Sequence, residues 1–245
     1  MPRQARLIVP DVALHVVQRG HNGRNCFEQE TDYLVYLANL RELAQKTACA
    51  LHAYCLMTNH VHLFLTPSRQ DACARLMRSL GQRYVQYFNR RYKRRGTLWE
   101  GRFFSCLVDS GDYVLATYRY VERNPVKAHM VASPAAYRWS SHSSNAGLAE
   151  NRLLSPHPAY LGLADEPAQR HRAYQEMVAT EDDPAFLAAI RDATKGGFAL
   201  VGNALKAKLP AEALPRLQRK PPGPRPAQPD QPDLLEELGL RPRSS

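Results

Sequence analysis

Two histidines separated by one valine, His60-Val61-His62, are the residues of this 245-residue chain best spaced to share a chemical task. They lie at the start of the second of two apolar runs, residues 50–57 and 61–66, which the turn-forming pair Thr58-Asn59 divides. Short runs rich in Val, Leu, Phe and Tyr between turn residues predict a β-hairpin. Side chains alternate along a strand, so positions i and i+2 share a face about 7 Å apart. Both imidazoles can therefore converge on one divalent ion while Val61 faces the core. Two ligands are half a site, and a histidine pair is also an ordinary polar rim for a sheet. The rest of the chain has to supply the other half.

Residues 118–125 read Tyr-Arg-Tyr-Val-Glu-Arg-Asn-Pro. On a helix, Tyr120 and Asn124 are one turn apart on one face. A phenol with an amide oxygen beside it is an arrangement in which tyrosine can attack a metal-bound phosphate. Asn before Pro is also a common N-cap with Pro at N1, and one side chain can serve both ends. Tyr118 falls on a different face and is expected to pack inward. Between the two motifs runs a basic, aromatic block at 83–102, RYVQYFNRRYKRRGTLWEGR. Guanidinium forks grip phosphates and aromatic faces stack on unpaired bases. Cations at a helix C-terminus also suit the macrodipole, and aromatics at helical spacing pack inside. Tyr84 and Phe88 are accordingly assigned to the core. Arg83, Arg90, Arg91, Lys93, Arg94, Arg95 and Arg102 are assigned to a surface that binds a nucleic-acid backbone.

Composition points the same way. Lys and Arg number 33 against 23 Asp and Glu, a net charge of +10 that favours a polyanionic partner. The five cysteines are odd in number and form no CxxC, which argues against a zinc ribbon or a disulfide framework and suits a reducing cytosol. With 44% hydrophobic residues the chain can build a core, yet no run of eighteen apolar residues occurs. A soluble, cytoplasmic protein without membrane contact is expected.

These groups need elements to hold them. Residues 12–18 predict a first strand, followed by a helix capped by Thr31 and ending near Thr47, then the hairpin. Asp71 opens a long helix with Leu76, Leu80, Tyr84, Tyr87 and Phe88 on its apolar side. A strand at 103–108 and a helix at 112–123 follow, and another helix starts at Asn124-Pro125. The order β-α-β-β-α-β-α predicts an α+β fold, a ferredoxin-like split βαβ domain with a central antiparallel sheet and flanking helices. Residues 146–210 read as a helical extension, with segments at 169–180 and 184–193. Residues 211–245 form a Pro-rich tail, with KPPGPRPAQPDQP at 220–232 expected extended or disordered and 234–240 able to form a turn or two of helix.

Taken together, the motifs resemble the IS200-like, single-tyrosine HUH transposases, and within them the REP-associated tyrosine transposase branch. The runs HAYCLMTNHVHLFL at 52–65, SLGQRYVQYFNRRYKRRGTLWEGRF at 79–103, YRYVERNPVKAHMV at 118–131 and YRWSS at 137–141 carry the likeness. It spans residues 1–145, with a faint echo at 195–209. The resemblance implies that His60 and His62 are metal ligands, that Asn124 completes the metal site and that Tyr120 is the nucleophile. Thr58 stands where the family usually has proline, which loosens the turn but removes no ligand. The implied cofactor is Mg²⁺ or Mn²⁺, and the implied substrate is single-stranded DNA carrying hairpins, such as REP-like palindromes. The implied reaction is cleavage and rejoining through a 5′-phosphotyrosine, with one tyrosine per chain used in sequence or across a homodimer. Two rival classes remain. A DNA-binding regulator on the same scaffold would lack strand transfer, and a metal-dependent phosphodiesterase would use water in place of Tyr120.

Overall fold

A computed structural model describes residues 6–109 and 111–208, together with Leu214 and Leu217. Strand β1 (Ala13–Arg19) leads to helix α1 (Glu30–Thr47), the hairpin β2 (Cys49–Leu56) and β3 (His60–Pro67), helix α2 (Ala72–Arg91) and strand β4 (Phe104–Asp109). Helices α3 (Gly111–Glu122) and α4 (Asn124–Lys127) follow. Then come α5 (His142–Asn145), α6 (Pro158–Leu161), α7 (Pro167–Ala179) and α8 (Pro184–Gly196). A short strand β5 (Ala199–Val201) and α9 (Asn203–Lys208) close the described chain. The strands form one sheet in the order β2-β3-β1-β4-β5. Its first four strands pair antiparallel in the ferredoxin-like order that the sequence predicts.

Alternation along the strands divides the interior in two. Leu14, Val16, Val61, Leu63 and Leu65 face α1 and α2, where Leu76, Leu80, Tyr84 and Phe88 repeat at one helical turn and are all buried. The other face carries Ala13, Phe64, Cys106 and Val108, and α3 and α8 cover it with Val114, Tyr118, Val121 and Ile190. Tyr118 is fully buried there, as its helix face predicts. All five cysteines are buried free thiols.

Several local expectations need correction. Gln29, not Thr31, precedes the first turn of α1, and the Asp32 carboxylate accepts the Glu28 and Gln29 amides at 2.8 and 3.0 Å. Asn124 is the first residue of α4 and Arg123 is its cap, and α4 ends after a single turn. Strand β5 carries only Ala-Leu-Val, too short for a periodic signal, and it pairs parallel to β4, so the sheet is not wholly antiparallel. The helical segments expected at 169–180 and 184–193 are present as α7 and α8. The Pro-rich stretch at 220–232 and the segment at 234–240 lie outside the described residues. Among the described residues no helix is long and apolar enough to cross a membrane.

Candidate active site

His60 and His62 stand on β3, with ring centroids 4.9 Å apart. The turn before them is held without the family's proline. The Thr58 carbonyl accepts the Cys26 and Phe27 amides at 2.8 and 3.2 Å, and the Asn59 carbonyl accepts Gly20 N at 2.8 Å. Gly20 is needed where the chain turns back here, because a Cβ there would lie 2.1 Å from the Arg24 carbonyl oxygen and 3.2 Å from that of Asn59. Asn59 also sets the state of the first imidazole. Its amide donates to the Gly23 carbonyl at 3.2 Å, so its Oδ1 accepts from His60 Nδ1 at 2.7 Å. The proton of neutral His60 is thereby on Nδ1, and Nε2 keeps its lone pair.

A residue that the sequence reading passed over is the partner of His62. His15, on the neighbouring strand β1, places Nε2 2.9 Å from His62 Nδ1, while its own Nδ1 is 2.8 Å from Thr194 Oγ1 on α8. Thr194 Oγ1 in turn lies 3.2 Å from Cys106 Sγ. The chain can run in either direction. If His62 Nδ1–H donates to His15, His15 Nδ1–H to Thr194 and the Thr194 hydroxyl to the sulfur, His62 Nε2 is a lone pair. If Cys106, Thr194 and His15 donate in turn, His62 Nε2 carries the proton. Burial pushes His15 down to about 3 and His60 to about 4, and burial with His60 beside it pushes His62 well below its ordinary value. All three rings are therefore neutral near pH 7, the form that binds a metal.

Tyr120 closes the site from α3. Its ring lies 5.7 Å from that of His62 and 5.5 Å from that of His15, centroid to centroid. Burial raises its pKa, and a hydrogen bond from Arg191 opposes the rise. The Lys127 ammonium sits 4.7 Å from the Tyr120 ring centroid. The Asn124 amide donates to the carbonyls of Tyr120 and Val121 at 2.7 and 3.3 Å, so its Oδ1 remains an acceptor one turn from the phenol.

The orientation of α3 depends on a buried carboxylate. Glu122 accepts from Ser141 Oγ at 2.6 Å, Asn145 Nδ2 at 2.8 Å, His142 Nδ1 at 3.0 Å and the Tyr174 hydroxyl at 2.7 Å. The Tyr-Arg-Trp-Ser-Ser segment is thus largely a brace for this helix. Tyr137 donates to the Leu56 carbonyl at 2.7 Å, and Ser141 takes the Tyr54 amide at 2.9 Å.

The basic block is placed differently. Helix α2 covers the opposite face of the sheet, and the block reaches the histidine end only around its edge. There Glu100 N donates to the Arg19 carbonyl at 2.9 Å, and Arg19 pairs with His60 across the strands. Arg83 is engaged by Glu42 at 2.9 Å, and Arg91 by Gln29 at 2.5 Å with Asp32 at 3.8 Å. Arg94 lies over the Phe88 ring, while Arg90, Lys93, Arg95 and Arg102 are exposed. The cations nearest the tyrosine are Arg19, Lys127 and Arg191, none of which the sequence reading singled out. Lys127 was within reach of that reading, since it follows Tyr120 at helical spacing. Arg19 and Arg191 come from other elements and were not.

Two neutral imidazoles, His60 and His62, stand side by side at this end of β3. Among the described residues no three His, Cys, Asp or Glu side chains are grouped to hold an ion. Neutral nitrogen donors of this kind suit a divalent cation whose remaining positions are filled by water or phosphate.

Residues 8–124 match the family described as Transposase IS200 like. The chain's fold is that of a REP-associated tyrosine transposase solved bound to a REP hairpin, with 15% identity and a TM-score of 0.53. That alignment covers 69% of this chain and 96% of the other. A candidate transposase from Deinococcus radiodurans R1 is 18% identical over 52% of this chain and 95% of its own, with a TM-score of 0.36. No curated protein matches the chain.

Proposed function

We propose that the protein cleaves and rejoins single-stranded, hairpin-containing DNA through a covalent link to Tyr120. The observation that carries this reading is the convergence of one tyrosine, from α3, on the His60/His62 pair of β3, with the His62 and Tyr120 rings 5.7 Å apart. Tyr120 Oη attacks the scissile phosphorus, and the bond from phosphorus to the 3′ oxygen breaks. The 5′-phosphate stays on the tyrosine, and the phenol's proton ends on the released 3′-hydroxyl. Attack by a second strand's 3′-hydroxyl on the phosphotyrosine reverses these bond changes and joins the strands. His60, His62 and Asn124 are the residues that would hold Mg²⁺ or Mn²⁺, which polarises the phosphate and stabilises the leaving oxygen when bound. Arg191 orients the phenol, and Asn59 and His15 hold the two imidazoles in the ligating tautomer. Arg90, Lys93, Arg94, Arg95 and Arg102 supply backbone contacts at the rim, with Arg83 and Arg91 contributing where their internal partners allow. Single-stranded substrate follows from the recessed site, because Tyr120 is only 6% exposed and a stiff duplex cannot bend into it.

The test is a denaturing gel with labelled single-stranded hairpin DNA, Mg²⁺ or Mn²⁺ and the full chain. A metal-dependent, protease-sensitive adduct that disappears in Tyr120→Phe is the expected result. Cleavage that persists in Tyr120→Phe would assign the reaction to water. Binding without cleavage across a diverse hairpin library would make the protein a regulator.

A further inference from the structure

Three cations at four-residue spacing flank the tyrosine in sequence, one before it and two after, and all three point at one carboxylate. Arg119, Arg123 and Lys127 run down α3 and α4, and Asp182 reaches them from the link between α7 and α8. Arg119 Nε lies 2.8 Å from Asp182 Oδ1, while Arg123 Nε and Lys127 Nζ lie 3.8 and 2.5 Å from Oδ2. The Asp182 side chain is 1% exposed and the three cations 15 to 22%. Three positive charges therefore share one negative charge in a largely dry place, where unbalanced charge is costly. The cluster is also continuous with the site, since Lys127 is the same side chain that lies over the Tyr120 ring.

We propose that Arg119, Arg123 and Lys127 form a phosphate subsite beside Tyr120 for the DNA strand being cut, and that Asp182 fills it in the DNA-free chain as an internal stand-in. The inference rests on the strand-transfer reading for its ligand. A carboxylate and a backbone phosphodiester both carry one negative charge on two equivalent oxygens, so each can meet the same donors. Two guanidinium groups and an ammonium, with two charges in excess over Asp182, are the donor set that arginine-rich phosphate sites use. Asp182 lies in the link between α7 and α8, next to Asp183, whose Oδ1 caps α8 by accepting Ala185 N at 2.9 Å. Arg123 also donates to the Val178 and Ala179 carbonyls at the end of α7, at 2.9 and 3.3 Å. The same contacts therefore tie the α7–α8 corner to α3 and α4, and phosphate entry releases that corner.

The test uses the full chain with Asp182→Asn, which keeps the shape and removes the charge. In a Tyr120→Phe background, Asp182→Asn is expected to tighten binding of single-stranded hairpin DNA roughly tenfold, the effect of one added charge-assisted hydrogen bond. The dependence on salt should steepen by about 0.7 in log–log slope for each further phosphate that the protein neutralises. Adding Arg123→Gln should cancel the tighter binding. Inorganic phosphate should raise the melting temperature of Asp182→Asn and leave the parent unmoved. If Asp182→Asn folds and binds DNA no more tightly than its parent, the cluster is a structural ion pair and the proposal is overturned. If that variant does not fold, hydrogen exchange in the Asp182-bearing chain decides. DNA should speed exchange of the amides at 180–183, and unchanged or slower exchange overturns the displacement. A protein that binds no DNA at all would defeat the strand-transfer reading. The phosphate-induced shift in Asp182→Asn would still report the subsite.

Discussion

Replacing His15 by phenylalanine removes a residue that touches neither the phenol's attack path nor the ion, yet it should weaken metal binding sharply. In the native chain His15 Nε2 is 2.9 Å from His62 Nδ1, and both rings are buried. With His62 protonated on Nδ1, as ligation through Nε2 requires, phenylalanine keeps a flat ring in that space but offers no acceptor, so the Nδ1–H is left without a partner. An unsatisfied buried donor costs about 1–3 kcal/mol, which in a chain of this size lowers the melting temperature by about 2–12 °C. His62 can lower that cost by moving its proton to Nε2, the nitrogen that has to face the ion. Loss of such an outer partner typically reduces metal affinity about 10–100-fold. Mn²⁺ titration followed by electron paramagnetic resonance measures the affinity without any DNA, and the ¹⁵N shifts of His62 in the metal-free chain read its tautomer. Thr194→Val removes the next link and leaves the His15–His62 contact in place, so a smaller loss is expected. Unchanged Mn²⁺ affinity in His15→Phe, with His62 still protonated on Nδ1, would refute the reasoning.

Two other perturbations bear on stability. Glu122→Ala strips the acceptor from Ser141, His142, Asn145 and Tyr174. Ser141 Oγ and Asn145 Nδ2 can turn to the Tyr54 and His52 carbonyls at 3.3 and 3.2 Å. At about 1–3 kcal/mol for each of the two donors left stranded, His142 and Tyr174, a loss of about 2–6 kcal/mol is expected. A urea midpoint within error of the native one would show that the hub does not brace α3. His15 and His52 are both buried, with burial pushing them down to about 3 and about 4. Above pH 6.5 neither state carries the proton. As pH falls below 6.5 the unfolded chain takes it up first, so stability declines, with the His52 share ending near pH 4 and the His15 share near pH 3. The two together give a slope of up to about 2.7 kcal/mol per pH unit. Urea unfolding at pH 7, 6 and 5 measures it, and a flat profile would contradict the assignment of both rings as neutral.

What could be read from the residues was whatever depends on short separations. Alternation along β3 put His60 and His62 on one face, helical spacing put Asn124 one turn from Tyr120, and the order of apolar runs implied the split βαβ sheet. Each follows from backbone periods of two and 3.6 residues, which act within a few positions. Caps and short elements were less legible. Thr31 lost the N-terminal position of α1 to Gln29 because Asp32 accepts the amides of Glu28 and Gln29, and β5 had only three residues in which to show a pattern. The basic block was visible as a run of charge. Which face of the sheet it would occupy was not.

His15 is the clearest case of what the fold alone decided. Inside Val-Ala-Leu-His-Val-Val-Gln it is a lone histidine in a strand, and it acquires meaning only because β1 pairs with β3 and sets it beside His62, 47 positions away. Arg191, Thr194 and Asp182 come from a segment with little family likeness, and they meet Tyr120, His15 and Arg119 only because α8 packs over β4 and β1. The sequence by itself determined the candidate reacting groups, since their chemistry and local spacing are written in adjacent turns and strand positions. Tertiary structure decided their protonation and their cover, because burial and hydrogen-bond partners exist only once distant segments are brought into contact.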